Sequence, residues 1–136
     1  MIRMHAFGKE EQVTVKMMQW VEQALSPSLR RFCPGGAWTP AINLYEDDAY
    51  YYMVADLAGM EVQEVELRVK EGTLILDGQR ALPKPPKTNG SVSLLLMEID
   101  HGRFCRTVDL PKNADVSNIN AYYRSGYLWV RIPRRG

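Results

Sequence analysis

Few side chains in this 136-residue chain are of types that do chemistry, and their spacing limits what they can do. The two histidines, His5 and His101, lie far apart: His5 is in a terminus expected to fray, and His101 is beside Gly102 in a turn. Cys105 and His101 are close enough in sequence for a thiol–imidazole couple, yet no third orienting group or oxyanion donor stands near them. Cys33 and Cys105 are too few for a disulfide scaffold and lack metal-ligand spacing. They read as two separate cytosolic thiols, expected not to gate function. Asp47-Asp48 lacks the spacing of a calcium loop and reads as a solvated turn before a strand. Gly35-Gly36 has neither the preceding strand nor the Lys-Ser/Thr of a phosphate loop. No active site emerges, and neither a cofactor nor a metal is expected.

The aromatic residues raise a different chemistry. Tyr50, Tyr51, Tyr52, Tyr122, Tyr123, Tyr127 and Trp129 would make a base-stacking platform if a basic groove ran beside them. Only Arg124, Arg131, Arg134 and Arg135 cluster suitably, and 17 basic against 16 acidic residues leave a net charge of +1. That balance argues against a nucleic-acid partner. Apolar runs fall short of the roughly 18 residues a membrane span needs. Lys9, Glu10, Glu11 and Lys16 interrupt any signal-peptide core near the start, so the expected compartment is the cytoplasm.

The elements that hold these residues divide near position 40. Lys9 to Leu25 contains no Gly or Pro, and Val13, Met17, Trp20, Val21 and Ala24 recur at helical spacing, with Met18 and Leu25 widening the stripe. Glu10 and Glu11 suit the positive end of that helix, and Pro27 should stop it at Ser26. Positions 26–40 read as a linker with Phe32 and Trp38 interspersed. Beyond Pro40 the period becomes two. Tyr50–Asp56 is rich in β-formers, and Val65, Leu67 and Val69 alternate with charged residues before Glu71-Gly72 and a second strand over 73–79. Ala81–Gly90 holds three prolines and must be an exposed loop. The apolar run Ser91–Ile99 reads as a strand, as does Arg103–Leu110, which Pro111 ends. Asn118–Tyr123 and Tyr127–Ile132 flank Ser125-Gly126, a second hairpin signal. Seven or eight short strands predict an all-β, immunoglobulin-like antiparallel sandwich over 40–134, an N-terminal helical arm over 1–39 and a short tail at 135–136.

Several short motifs follow one another through the β region: Pro40–Glu46 and Tyr52–Met60, a strand pair closing in Gly78-Gln79-Arg80, and Glu98 before Gly102-Arg103-Phe104-Cys105-Arg106 and Leu110-Pro111. The series ends with Ala121, Gly126 and Leu128 ahead of Ile132-Pro133. Each piece is weak alone, and the ordered set is strong: it resembles the alpha-crystallin domain of small heat shock proteins. The resemblance implies an ATP-independent holdase: a dimeric sandwich that captures partly unfolded client proteins and delays their aggregation. Client capture would fall to the amphipathic stripe Val13, Met17, Met18, Trp20, Val21 and Leu25, whose methionines adapt to varied apolar surfaces.

In bacterial-type members the loop before the Glu-containing strand carries a short strand exchanged between subunits. The corresponding candidates here are Ser91, Val92, Leu94 and Leu96, and Arg106 resembles the arginine that family dimers place at their interface. One departure is the ending. The family's Ile-x-Ile/Val extension is absent after Arg134-Arg135-Gly136, and Val130-Arg131-Ile132 lies inside the last strand. Assembly is therefore expected to stop at a dimer or at oligomers held by the N-terminal helix, although truncation would also explain that ending. A sandwich acting as a co-chaperone adaptor of the CS-domain type is the alternative from another class.

Overall fold

Strand formation follows side-chain alternation closely. The computed structural model describes residues 3–5, 33 and 36–136, the first three by their backbone pairing only. Among them eight strands run in chain order: β1 (Arg3–His5), β2 (Ile42–Glu46), β3 (Tyr50–Asp56), β4 (Val65–Lys70), β5 (Thr73–Arg80), β6 (Gly102–Asp109), β7 (Asn120–Arg124) and β8 (Tyr127–Pro133). They form a five-stranded sheet of order β1-β7-β8-β3-β2 and a three-stranded sheet of order β4-β5-β6. All pairings are antiparallel except that of β1 with β7, which is parallel. The expected all-β sandwich is therefore present. The predicted helix over 9–25, with its stripe Val13, Met17, Met18, Trp20, Val21 and Leu25, lies outside the described residues.

Two-residue turns set the hairpin registers. Glu71 and Gly72 have φ of 52° and 73°, and Ser125 and Gly126 have φ of 53° and 83°. Positive φ at both central residues is what a type I′ hairpin turn requires, because its twist matches that of the flanking strands. Gly126 also carries a packing constraint: a Cβ there would lie 3.2 Å from Ala58 Cα, beside the bond from Leu57 N to Gly126 O. Gly78 in β5 is small for the same kind of reason. A Cβ at that position would sit 2.5 Å from Glu64 O and 2.7 Å from Phe104 Cζ. The glycine of the Gly-Gln-Arg signature thus makes room for the core phenylalanine.

The core lies between the two sheets. Met53 and Ala55 on β3, Leu74 and Leu76 on β5, Phe104 and Val108 on β6, Ala121 on β7 and Leu128, Val130 and Ile132 on β8 form one buried cluster. The even-odd alternation read in β4 holds, with Val65, Leu67 and Val69 packed against this cluster while Glu66, Arg68 and Lys70 face outward. Arg68 bonds Asp77 across the outer face at 2.8 Å.

Three expectations are corrected. Ser91–Ile99 forms no strand, for the whole segment 81–101 has none and 83–100 lie exposed. His5 is in β1, opposite Tyr122, rather than in a frayed end. Cys33 and Cys105 are joined in a disulfide with Cα atoms 5.4 Å apart, so they are not two separate thiols.

The acidic pair before β3 is the expected turn. Asp47 Oδ1 accepts from the amides of Ala49 (2.9 Å) and Tyr50 (2.7 Å), and Oδ2 accepts from the Tyr52 hydroxyl (2.6 Å). Burial alone would raise its pKa. The Tyr52, Ala49 and Tyr50 hydrogen bonds and the Arg134 charge outweigh that and hold the carboxyl below its ordinary range. A depressed folded pKa stabilises the fold above the unfolded value and is lost as pH falls through the folded one. The destabilisation caused by Asp47→Asn should therefore be largest near neutrality and shrink as pH drops below about 4. Urea midpoints at pH 7 and pH 3 check this; a pH-independent difference would refute it.

Candidate functional site

The signature residues of the β region meet at one end of the three-stranded sheet. Arg80 closes β5 opposite Gly102, the first residue of β6, so the segment 81–101 leaves and returns at one point. The Arg80 guanidinium ties that point together. Its Nε donates to Asp100 O at 3.0 Å, a second nitrogen also donates to Asp100 O, and a third donates to Ala58 O at 3.3 Å. The same guanidinium lies 4.3 Å from the Trp38 ring, a cation–π distance. Trp38 is held in turn by its indole N–H, which donates to Gly102 O at 3.0 Å, and by its ring, tilted on Phe104 at 5.2 Å.

Beyond this fastened base the segment has no strand and is exposed over 83–100. Val92 (56%), Leu94 (61%), Leu95 (95%) and Leu96 (76%) are exposed, and so are Met97 and Ile99. A structureless segment of this length in a compact domain is commonly functional. So much contiguous apolar surface marks an interaction site. Ser91, Val92, Leu94 and Leu96, which the sequence singled out, are all in it. The sequence suggested a strand there because an apolar run bounded by turns resembles a buried one. Among the described residues no strand of either sheet pairs with it.

Arg106 is placed elsewhere. Its register in β6 shares the core-facing side with Phe104 and Val108, half-buried at the sheet edge, where it donates to Pro40 O at 3.4 Å. Burial lowers its pKa from the ordinary arginine value. The stripe on 9–25 lies outside the described residues, so nothing in the structure locates it.

Of these aromatic residues, Tyr51 and Tyr123 turn to the core, while Tyr50, Tyr52, Tyr122, Tyr127 and Trp129 share the outer face of the five-stranded sheet with Arg131. Tyr51 packs in the core with its hydroxyl on Asn113, and the Tyr123 hydroxyl donates to Leu57 O. Tyr45 stacks on Trp129, while Arg131 spends its guanidinium on the rings of Tyr50 (4.6 Å) and Tyr122 (5.7 Å). Among the described residues no three His, Cys, Asp or Glu side chains converge as metal ligands, and no helix is long and apolar enough to cross a membrane.

Comparison with known proteins picks out this β region of the chain. The family model described as Hsp20/alpha crystallin family matches residues 43–136. The chain belongs to the small heat shock protein family. This small heat shock protein is 35% identical over 99 residues to the 17.7 kDa class II heat shock protein of Arabidopsis thaliana, covering 72% of this chain and 62% of that one. It is 34% identical over 99 residues to the 18.8 kDa class II heat shock protein of Ipomoea nil, covering 72% and 58%. The chain thus spans about three fifths of the length of these two relatives. Among solved structures, a small heat-shock protein from Xylella fastidiosa superposes with a TM-score of 0.63 at 28% identity, covering 74% of this chain and 89% of that chain.

The family signature now has a physical content in this small heat shock protein. Gly78 admits the Phe104 ring, Arg80 clamps the root of the exposed segment, and Ala121 and Leu128 fill the core on either side of the Ser125-Gly126 turn. The sequence reading missed Trp38 and the clamp around it. The available signal was an aromatic residue stranded among Gly, Pro and Thr in a linker, where only docking onto the domain would keep it from water.

Proposed function

We propose that this small heat shock protein is a non-enzymatic, ATP-independent holdase of the cytoplasm, which binds partly unfolded proteins and delays their aggregation. The observation that carries the reading is membership of the small heat shock protein family, and the run Val92–Ile99, strongly exposed in the single chain, supports the self-association that goes with it. A protein that spends no fuel can hold clients only by offering them apolar surface. Two apolar segments are assigned separate roles. The stripe Val13, Met17, Met18, Trp20, Val21 and Leu25 takes clients, and Ser91, Val92, Leu94 and Leu96 pair with a second copy of the chain.

The edge strands favour one receiving site for that pairing. β1 and β2 end one sheet and β4 and β6 the other; β6 is already bridged by Trp38 at Phe104 and β1 is only three residues long, which leaves β2 and β4 as the open edges among the described residues. Charges blunt the edge of β4, through Glu66, Arg68 and Lys70, whereas β2 (Ile42, Asn43, Leu44, Tyr45, Glu46) carries one charge at its end. The 91–96 segment is therefore assigned to β2 of the partner, and Arg106, at the β6 edge beside Pro40, lies at the rim of that contact.

Capture is tested by heating a labile client with the chain in the absence of ATP, then separating the mixture by size. Co-elution of client and chain as one soluble complex is expected. Client found wholly in the pellet, with the chain folded and alone in the supernatant, would overturn the reading.

A further inference from the structure

We propose that Cys33 and Cys105 form a reversible redox latch that fixes the root of the N-terminal arm to the outer face of the three-stranded sheet. Strand register defines that face. Phe104, Arg106 and Val108 turn toward the core side, so Cys105 and Thr107 turn away from it, opposite Asp77 and Ile75. Such an outward face of an antiparallel sheet is usually polar and wet. Here Ile75 and Thr107 are 0% exposed and Cys105 is 7% exposed, although none of the three belongs to the core cluster between the sheets. Toward β4 the same face is exposed at Glu66, Arg68 and Lys70. The covered patch is thus confined to the side where Cys33 is bonded.

A second anchor, insensitive to redox state, lies just beyond the disulfide. Ala37 N donates to Arg103 O at 2.8 Å, the Trp38 indole donates to Gly102 O, and Arg80 covers the Trp38 ring. The chain between the two anchors reads Pro34-Gly35-Gly36, and glycine is the residue best suited to a hinge. Breaking the Cys33–Cys105 bond therefore leaves Trp38 docked beyond the glycines and β1 paired with β7, and removes the covalent tie between Cys33 and the three-stranded sheet. In a cytoplasmic protein a disulfide is more often a sensor than a permanent staple.

The chemistry is thiol–disulfide exchange with a low-molecular-weight disulfide as oxidant. Cys33, half-buried where Cys105 is buried, is the thiol that reacts first. Its thiolate attacks the oxidant, forming a mixed disulfide and expelling one small thiolate. The Cys105 thiolate then attacks the Cys33 sulfur and expels the second. Two protein thiols become one disulfide, the oxidant is reduced to two small thiols, and a dithiol reductant reverses the process. On the reading that the arm takes clients, the oxidised protein holds it in reserve and the reduced protein deploys it.

The test compares the full chain after treatment with oxidised glutathione and after dithiothreitol. Alkylation and mass analysis count the free thiols, and trypsin at limiting concentration reports access to Lys9, Lys16, Arg30 and Arg31. The expected result is no free thiol after oxidation, two after reduction, and cleavage of the arm several-fold faster in the reduced form. Cys33→Ser, which leaves the sandwich residue in place, should be cleaved at the fast rate under both conditions. Two free thiols after oxidation, or equal cleavage of the two forms, would overturn the latch. Faster cleavage without any change in client suppression would uphold the latch and remove client capture from the arm.

Discussion

Replacing Phe104 with alanine is expected to lower the unfolding free energy by about 3–5 kcal/mol. Phe104 is fully buried on β6, and its ring occupies the space that Gly78 leaves open in β5 opposite it. The backbone of a two-sheet sandwich cannot close onto so large a void, so both the lost transfer energy and the cavity count against the variant. The Trp38 ring, 5.2 Å away, loses its partner as well, which adds about 0.5–1.5 kcal/mol. Domains of this kind have about 5–15 kcal/mol of stability in total. The variant should therefore unfold at much lower urea, and one built on a weak background should not fold at all. Urea unfolding followed by circular dichroism, with both proteins at one concentration, checks the figure. A loss below about 1 kcal/mol would show that the ring is not the keystone its burial indicates.

The double substitution Leu94→Asp, Leu96→Asp is expected to convert a dimer into a monomer without harming the sandwich. Both leucines are mostly exposed in the single chain, at 61% and 76%, so their loss removes almost nothing from its own core. At an interface each would contribute about 1.5–3 kcal/mol of burial. A reciprocal dimer makes the contact twice, so the four side chains amount to about 6–12 kcal/mol, or at least about ten-thousandfold in the dissociation constant, before the cost of burying the new charges is added. Sedimentation equilibrium across a concentration series reads the mass, and near-ultraviolet circular dichroism verifies the fold. Unchanged mass with an intact fold would remove 91–96 from the interface.

The parts of the fold that were legible are those in which local chemistry and tertiary contact agree. Alternation in 65–70 and the Glu71-Gly72 and Ser125-Gly126 pairs announce their hairpins, because side-chain period and turn dihedrals are local properties. Ser91–Ile99 misleads for the opposite reason. Its composition is that of a buried strand, but burial depends on a partner, and none of the described strands pairs with it. The Cys33–Cys105 bond spans 72 residues, and spacing carries no information about which distant strands become neighbours. β1 is three residues long, too short for a periodic signal, and is defined only by its register with β7. The family signature was readable as an ordered set of letters. What each letter does became clear only when Gly78 faced Phe104 and Arg80 reached Asp100 and Trp38.

The most direct test of the central claim is light scattering from a heat-labile client warmed with and without the chain, ATP being absent throughout. A holdase suppresses the rise in scattering at near-stoichiometric ratios, and deletion of residues 1–25 abolishes most of that suppression. Full scattering in the presence of the folded, dimeric chain would contradict it.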